Sequence, residues 1–168
     1  MPLAVALAGT ATTNPTLVRD AYVAHISAML VLAGFDDENA RARRVMDLET
    51  RIASHHWDRV ACRDTQKTYN LLDGKALQAL APSFDFDAWA AAAGVPTSAL
   101  AETIVSQPSY VEGLAQFLVD DELEAWRDWL RWQLVHTAAP YLSSAFVEEN
   151  FAFYGTTLSG ATENRPRW

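Results

Sequence analysis

Two long stretches near the N-terminus place apolar residues at helical spacing, and this pattern constrains the fold more than any other feature of the chain. The first stretch, residues 16–32, is followed by Gly34, a residue type common at helix ends. The second opens with the acidic run 36–38, which suits a helix N-terminus, and is expected to end near His55 or His56. The positions predicted to be buried are Tyr22, His25, Ile26, Met29, Leu30 and Ala33 in the first helix and Ala42, Val45, Leu48 and Ile52 in the second.

The rest of the chain predicts shorter helices bounded by proline, glycine and acidic residues. Residues 58–74 are expected to form a loop. The run 102–107 is the one β-like segment in the middle of the chain, and Pro108 directly after it favours an extended connector or an edge strand. Further helices are predicted at about 75–80, 85–94, 108–118 and from 121 onward, with a last helix carrying Leu142, Phe146, Phe153 and Thr157 on one face.

The helix that begins near residue 121 has aromatic residues on more than one side. Its apolar stripe is predicted to consist of Leu123, Trp126, Leu130 and Leu134. Tryptophans that lie off this stripe or at the C-terminus are predicted to form exposed apolar surface through which the chain would self-associate weakly. These are Trp129, Trp132 and Trp168.

These patterns together predict an all-α fold. We expect a multi-helix single lobe over residues 16–168, with two long antiparallel-type helices, several shorter ones and at most a minor strand near 102–107. Residues 1–15 are predicted to be a poorly ordered lead-in, because they lack the basic start of a signal peptide and their apolar run is short. No segment has the length needed to cross a membrane.

Charge and cysteine content exclude several classes of protein. The formal net charge of −8, with scattered basic residues, argues against nucleic-acid binding. The densest basic run, "RARR" at 41–44, is interpreted as a solvated helix face. The single cysteine allows no internal disulfide, so the sequence favours a cytoplasmic location.

The stretch "ASHHWDRVACRD", residues 53–64, holds the residue types that bind zinc, but their spacing disfavours a metal site. His55 and His56 are adjacent, so on a helix their side chains point about 100° apart. Cys62 has no second cysteine at metal-binding spacing and is predicted to be a small buried residue rather than a thiol nucleophile. H-E-x-x-H, G-x-S-x-G and Gly-rich phosphate loops are absent from the sequence, so we predict no catalytic or metal-binding residue.

Two separate motifs resemble the neprilysin-like family of zinc metallopeptidases. One is an L-E-x-x-I-A helix followed by R-D-x-x-K-x-Y-N, and the other is F-x-F-Y-G-x-x-L-x-G near the end of the chain. The resemblance runs from about Val18 to Trp168 and lies in the N-terminal, non-catalytic region of that family. The motif residues are Glu49, Arg63, Asp64, Lys67, Tyr69, Asn70, Phe153, Tyr154 and Gly155.

The resemblance implies a two-lobed peptidase in which this chain is the smaller helical lobe. In such an enzyme the larger lobe carries H-E-x-x-H and the zinc, and the helical lobe encloses the chamber that admits peptide substrates. This chain would then be a fragment or truncated form of a zinc metalloendopeptidase, inactive alone, with the catalytic lobe as its partner and zinc only in the full-length enzyme. The alternative is a stand-alone helical module that binds peptides or another protein.

The loop motif itself is predicted to have a structural role. Asp64 can accept backbone N–H bonds at the start of a turn. Arg63 can donate to several carbonyls or to a carboxylate such as Glu49. Tyr69 and Asn70 are expected to hold the loop against the long helices.

Overall fold

The computed structural model describes residues 14–164 and confirms the all-α prediction. In this range the α-helices are α1 Pro15–Leu32, α2 Glu38–Ser54, α3 Gly74–Leu80, α4 Phe86–Ala92, α5 Pro108–Ala115, α6 Leu123–Ala138 and α7 Ser144–Asn150. Two short strands, β1 Leu71–Leu72 and β2 Thr103–Ile104, pair antiparallel with Leu71 opposite Ile104. The strand predicted near 102–107 is therefore present, whereas its partner lies in the segment predicted as loop.

The chain divides into two compact units. The first contains the described residues up to Thr50 and those from Glu124 onward, and the second contains Arg51–Leu123. The single domain over residues 16–168 stays a prediction, and the described part of the first unit begins before it, at Asn14. Of the predicted lead-in, residues 1–13 lie outside the described residues, and Asn14 caps α1 by accepting a hydrogen bond from the backbone N–H of Thr16.

Helices α1 and α2 form as their periodicity predicts. Ala33 is exposed, but all the other predicted core positions are buried, and Gly34 ends the first helix with a φ of 79°. A backbone φ of 79° is costly for residues with a Cβ atom, which explains a glycine at this position. The buried positions of the first unit continue in α6 with Trp132 and Val135 and further along the chain with Phe153.

The predicted face of α6 is wrong. Leu130 and Leu134 are 60% and 72% exposed, and Leu123 is 45% exposed. The buried side instead carries Ala125, Asp128, Trp132 and Val135. Trp132, predicted to be exposed, is fully buried because its ring contacts those of Tyr22 and His25 edge-on.

Of the two other tryptophans predicted to be exposed, only Trp129 can be compared with the structure. Trp129 is partly buried, and its indole N–H donates to Glu49 Oε1 at 3.1 Å. Trp168 lies outside the described residues.

The last predicted helix is divided in the structure, because α7 ends at Asn150 and a π-helical segment follows over Phe151–Thr157. Leu142 and Thr157 are exposed rather than buried.

The basic run 41–44 is more than a solvated helix face. Arg41 Nη1 lies 2.5 Å from Oδ1 of Asp128, and Arg44 Nη2 lies 2.5 Å from Oδ2. Arg131, one turn along α6 from Asp128, adds a contact of 3.0 Å. Burial alone would raise the pKa of Asp128, but the hydrogen bonds from these three arginines outweigh it and hold the pKa below its usual value.

In the second unit, short helices begin at aspartate caps. Asp73 and Asp85 accept backbone N–H bonds from Ala76 and Ala88 at 2.7 and 2.8 Å, and these caps start α3 and α4. Pro108 occupies the first turn of α5, where its missing N–H costs nothing. None of the described helices is long and apolar enough to cross a membrane.

The buried carboxylate of Asp128 gives a direct test of this packing. We expect Asp128→Asn to lower the free energy of unfolding by about 3 kcal/mol, near the lower end for breaking a buried ion pair, because the arginines stay partly exposed. Asp36→Asn is the matched control, since Asp36 pairs with the same Arg41 at 3.2 Å but is 88% exposed. It should cost less than about 1 kcal/mol. Urea unfolding monitored by circular dichroism would measure both, and equal losses would contradict a special role for Asp128.

Candidate functional site

The loop that carries the R-D-x-x-K-x-Y-N motif is held mainly by polar contacts. Trp57, directly before the predicted loop 58–74, donates its backbone N–H to Oε1 of Gln107 at 2.9 Å and its indole N–H to Ser109 at 2.7 Å. Lys67 places its ammonium 4.6 Å from the centre of the Trp57 ring, a cation–π geometry. The motif lysine therefore contacts the tryptophan that directly precedes the loop.

Within the motif, Asp64 and Asn70 make the structural contacts. Asp64 Oδ1 accepts the backbone N–H groups of Gln66 and Lys67, both at 3.0 Å, so the predicted turn role of Asp64 is confirmed. Asn70 Nδ2 donates to the carbonyls of Lys67 and Val105 at 2.8 and 3.0 Å and so ties the loop to the end of β2.

Other motif residues do not behave as predicted. Tyr69 is 59% exposed, so burial of its ring does not hold the loop in place. Arg63 is also exposed. Glu49, suggested as a partner for Arg63, is fully buried in the first unit and accepts hydrogen bonds from Tyr22 at 3.2 Å and from Trp129 and Gln133. Burial raises the pKa of Glu49 above its usual value despite these hydrogen bonds.

The residues that suggested zinc serve packing roles. The His56 ring stacks on Tyr110 with centroids 4.1 Å apart, and a Cβ atom at Gly113 would overlap the His55 ring. Cys62, predicted to be buried, is exposed, and its sulfur accepts a hydrogen bond from Gln107 Nε2 at 3.6 Å. Within residues 14–164, no group of three or more histidine, cysteine, aspartate or glutamate residues is placed to hold a metal ion.

The second motif near the C-terminus packs around a buried histidine. His25 is 2% exposed, stacks on Phe153 at 4.7 Å and meets Tyr154 edge-on at 5.5 Å. Its Nδ1 lies 2.8 Å from a carboxylate oxygen of Glu149 and therefore carries the proton, because an ionised carboxylate only accepts. His136 packs against Tyr154 at 5.2 Å.

Both histidines are neutral at neutral pH for the same physical reason. Burial lowers the pKa of His25, although the hydrogen bond and charge of Glu149 oppose this effect, and burial also lowers the pKa of His136. The buried Nε2 of His25 and Nδ1 of His136 have no hydrogen-bond partner among the described residues. The proton gained by either ring would therefore sit on a buried nitrogen that has no acceptor among the described residues, and burial of the charge outweighs the attraction of Glu149 for His25.

A largely apolar groove lies in the second unit. Its volume is about 470 Å³. Its polar residues include His56, Gln107 and Tyr110, so its wall adjoins the motif loop through the contacts of Trp57 and Gln107 described above. Sequence reasoning missed the groove because its residues come from four separate segments, and only the clustered aromatics of "SFDFDAW" hinted at it. The main apolar residues of the wall are Leu77, Phe86, Trp89, Ile104, Val105 and Val111.

Comparison with known proteins assigns the chain to a family. The sequence profile for the N-terminal region of peptidase family M13 matches residues 8–168. This chain belongs to peptidase family M13. The match confirms the resemblance to the N-terminal region of the neprilysin-like zinc metallopeptidases. No curated protein sequence matches the chain significantly.

Solved structures of an M13 peptidase share the fold. The Mycobacterium tuberculosis zinc metalloprotease Zmp1 in its open state superposes with a TM-score of 0.86 and 37% identity, covering 94% of this chain and 25% of that one. The same protein in complex with an inhibitor gives a TM-score of 0.85 and 38% identity, covering 92% of this chain and 24% of that one. The M13 chain described here thus spans about a quarter of the length of these solved chains.

The lowered pKa values of His25 and His136 predict that the stability of this M13 chain is sensitive to acid. In the unfolded chain both histidines titrate near the ordinary pKa of about 6.5, whereas the folded chain binds these protons more weakly. Their contribution to stability is therefore full above about pH 6.5 and falls as the pH drops below it. We expect the urea midpoint to fall between about pH 7.5 and pH 5.5.

His136→Phe should reduce that pH dependence while keeping an aromatic ring against Tyr154. The comparison isolates the histidine, because Glu49, whose pKa is raised by burial, contributes in the opposite direction in both proteins. An identical pH dependence in the wild type and the variant would contradict the assignment.

Gly155 in the second motif gives a steric prediction. A Cβ atom at this position would overlap the ring of Phe151, one turn earlier. Gly155→Ala should therefore destabilise the chain by about 1–3 kcal/mol in thermal or urea unfolding, as overpacking does. In the control Gly74→Ala, the new Cβ meets only the Leu100 carbonyl oxygen at 3.6 Å, an ordinary contact, and the change should be about neutral. The reverse order of the two effects would contradict the steric explanation.

Proposed function

We propose that this chain is the non-catalytic helical lobe of a zinc metalloendopeptidase and helps to enclose its peptide-binding chamber. The observation that carries the proposal is the match of 94% of the chain, at 37% identity, to one quarter of a zinc metalloprotease. Such a lobe contributes walls and packing surfaces, and the catalytic lobe of the same enzyme would be its partner. The chemistry of peptide cleavage would come from that partner.

The donor groups in this chain do not suit a resident zinc ion. Zinc needs three or four ligands converging at about 2 Å. Here His25 is engaged with Glu149, His56 is stacked on Tyr110, and Cys62 is hydrogen-bonded to Gln107. We therefore propose that zinc belongs to the full-length enzyme.

The alternative function is a stand-alone helical module that binds peptides or another protein. The apolar groove of the second unit favours it, because all of the groove's residues lie in that one unit.

A cytoplasmic location and weak self-association stay predictions of the sequence. Cell fractionation would test the location, and sedimentation would test the self-association.

The test is to identify the native product and assay it. Mass spectrometry from the source, together with the transcript after the Trp168 codon, shows whether a longer form with H-E-x-x-H exists. We expect that form to cleave a quenched fluorescent peptide, to lose activity with a zinc chelator and to regain it with zinc, while the 168-residue chain stays inactive. A native product of 18.6 kDa with no longer form would contradict the proposal and favour the stand-alone module.

A further inference from the structure

We infer that the groove of the second unit binds an extended peptide segment that inserts an apolar, preferably aromatic, side chain between flanking lysine or arginine residues. The inference deepens the proposed function, because it rests on a lobe that meets peptides and names the kind of peptide. It assigns the binding to this chain's own residues.

The size and lining of the groove suit one large apolar side chain. A volume of about 470 Å³ lies within the range of about 300–1,000 Å³ that is typical of ligand sites. Trp89 and Ile104 are 50% and 53% exposed, so a side chain that enters would cover apolar surface that is otherwise in contact with water. Aromatic rings also pack well against the rings of Trp89 and Phe86.

The polar part of the wall is held in place before any ligand binds. His56 stacks on Tyr110, and Gln107 uses both ends of its amide, accepting from the Trp57 backbone N–H and donating to Cys62. Because these side chains are already ordered, a ligand would lose little free energy in arranging them.

The charged residues near the groove indicate which residues of the peptide flank its apolar side chain. From residue 76 to residue 126 the sequence contains no lysine or arginine, and every wall residue except His56 comes from this stretch. Exposed acidic residues directly adjoin wall residues in sequence: Asp87 follows Phe86, Glu102 precedes Thr103, and Glu112 follows Val111. Lys75 lies just before this stretch, but the second unit as a whole has ten acidic and five basic residues. This net negative charge favours cationic peptides over anionic ligands such as fatty acids or nucleotides.

The strand beside the groove favours an extended backbone in the ligand. Thr103 and Ile104 form β2 and also line the groove. The sheet has two strands, so β2 has one edge that is not paired with β1. An extended segment can add main-chain hydrogen bonds at such an edge while alternate side chains enter a pocket.

The test is fluorescence anisotropy of the 168-residue chain with short labelled peptides. A peptide Lys-Lys-Phe-Lys-Lys should bind, and its affinity should fall with added salt. Replacing the central Phe by Ser, or all four lysines by glutamates, should weaken binding by roughly tenfold or more, because each change removes one of the two recognition elements. Equal binding of the three peptides would overturn the inference.

Variants of the protein locate the site. Trp89→Ala should weaken binding of the lysine peptide by roughly tenfold, and Glu102→Lys should weaken it while improving binding of the glutamate peptide. Val60→Ala is the matched control, since Val60 is 78% exposed in the same unit but does not line the groove, and it should bind like the wild type. Circular dichroism checks that each variant is folded. Unchanged binding by both Trp89→Ala and Glu102→Lys would overturn the assignment.

These outcomes are distinct from those that test the proposed function. Zinc-dependent cleavage by a longer form, with no peptide binding in the groove, would retain the lobe assignment and reject the groove. Binding that depends on Trp89, in a source without a longer form, would retain the groove and reject the lobe assignment.

Discussion

The packing of the first unit depends on one buried carboxylate. Asp128 is 1% exposed, and removing an ionised carboxylate from water costs several kcal/mol unless charged partners surround it. Arg41 and Arg44 of α2 supply those partners, so α6 must turn Asp128 toward α2. That rotation also turns Trp132 and Val135 inward and leaves Leu130 and Leu134 in solvent.

A second polar cluster lies on the same buried side of the unit. Glu49 accepts the hydroxyl of Tyr22, which in turn accepts the indole N–H of Trp132 at 3.0 Å. With the histidine pair around Tyr154, these groups give the unit a core that is specific in its hydrogen bonds but sensitive to protonation. The family motif residues Glu49, Phe153 and Tyr154 thus all contribute to the packing of this core.

The second unit combines a polar-anchored loop with an apolar groove. Asp64 and Asn70 fix the loop through backbone contacts, and Gln107 connects the loop to the groove wall. Sequence predicted the turn at Asp64 because an aspartate accepts nearby N–H groups through a local contact. It did not predict that Cys62 and Tyr69 are exposed, because exposure depends on segments distant in the chain.

The sequence by itself determined the helical class, the buried faces of α1 and α2, the glycine stop after α1 and the family. Periodicity, capping and motif order are local properties, so they can be recognised without coordinates. Only the tertiary structure decided which side of α6 is buried, that the run 41–44 neutralises Asp128, and that separate segments meet in a groove. The physical reason is that α6 has apolar residues on several sides, and the choice among them comes from ion pairing and ring contacts with residues as many as 110 positions away.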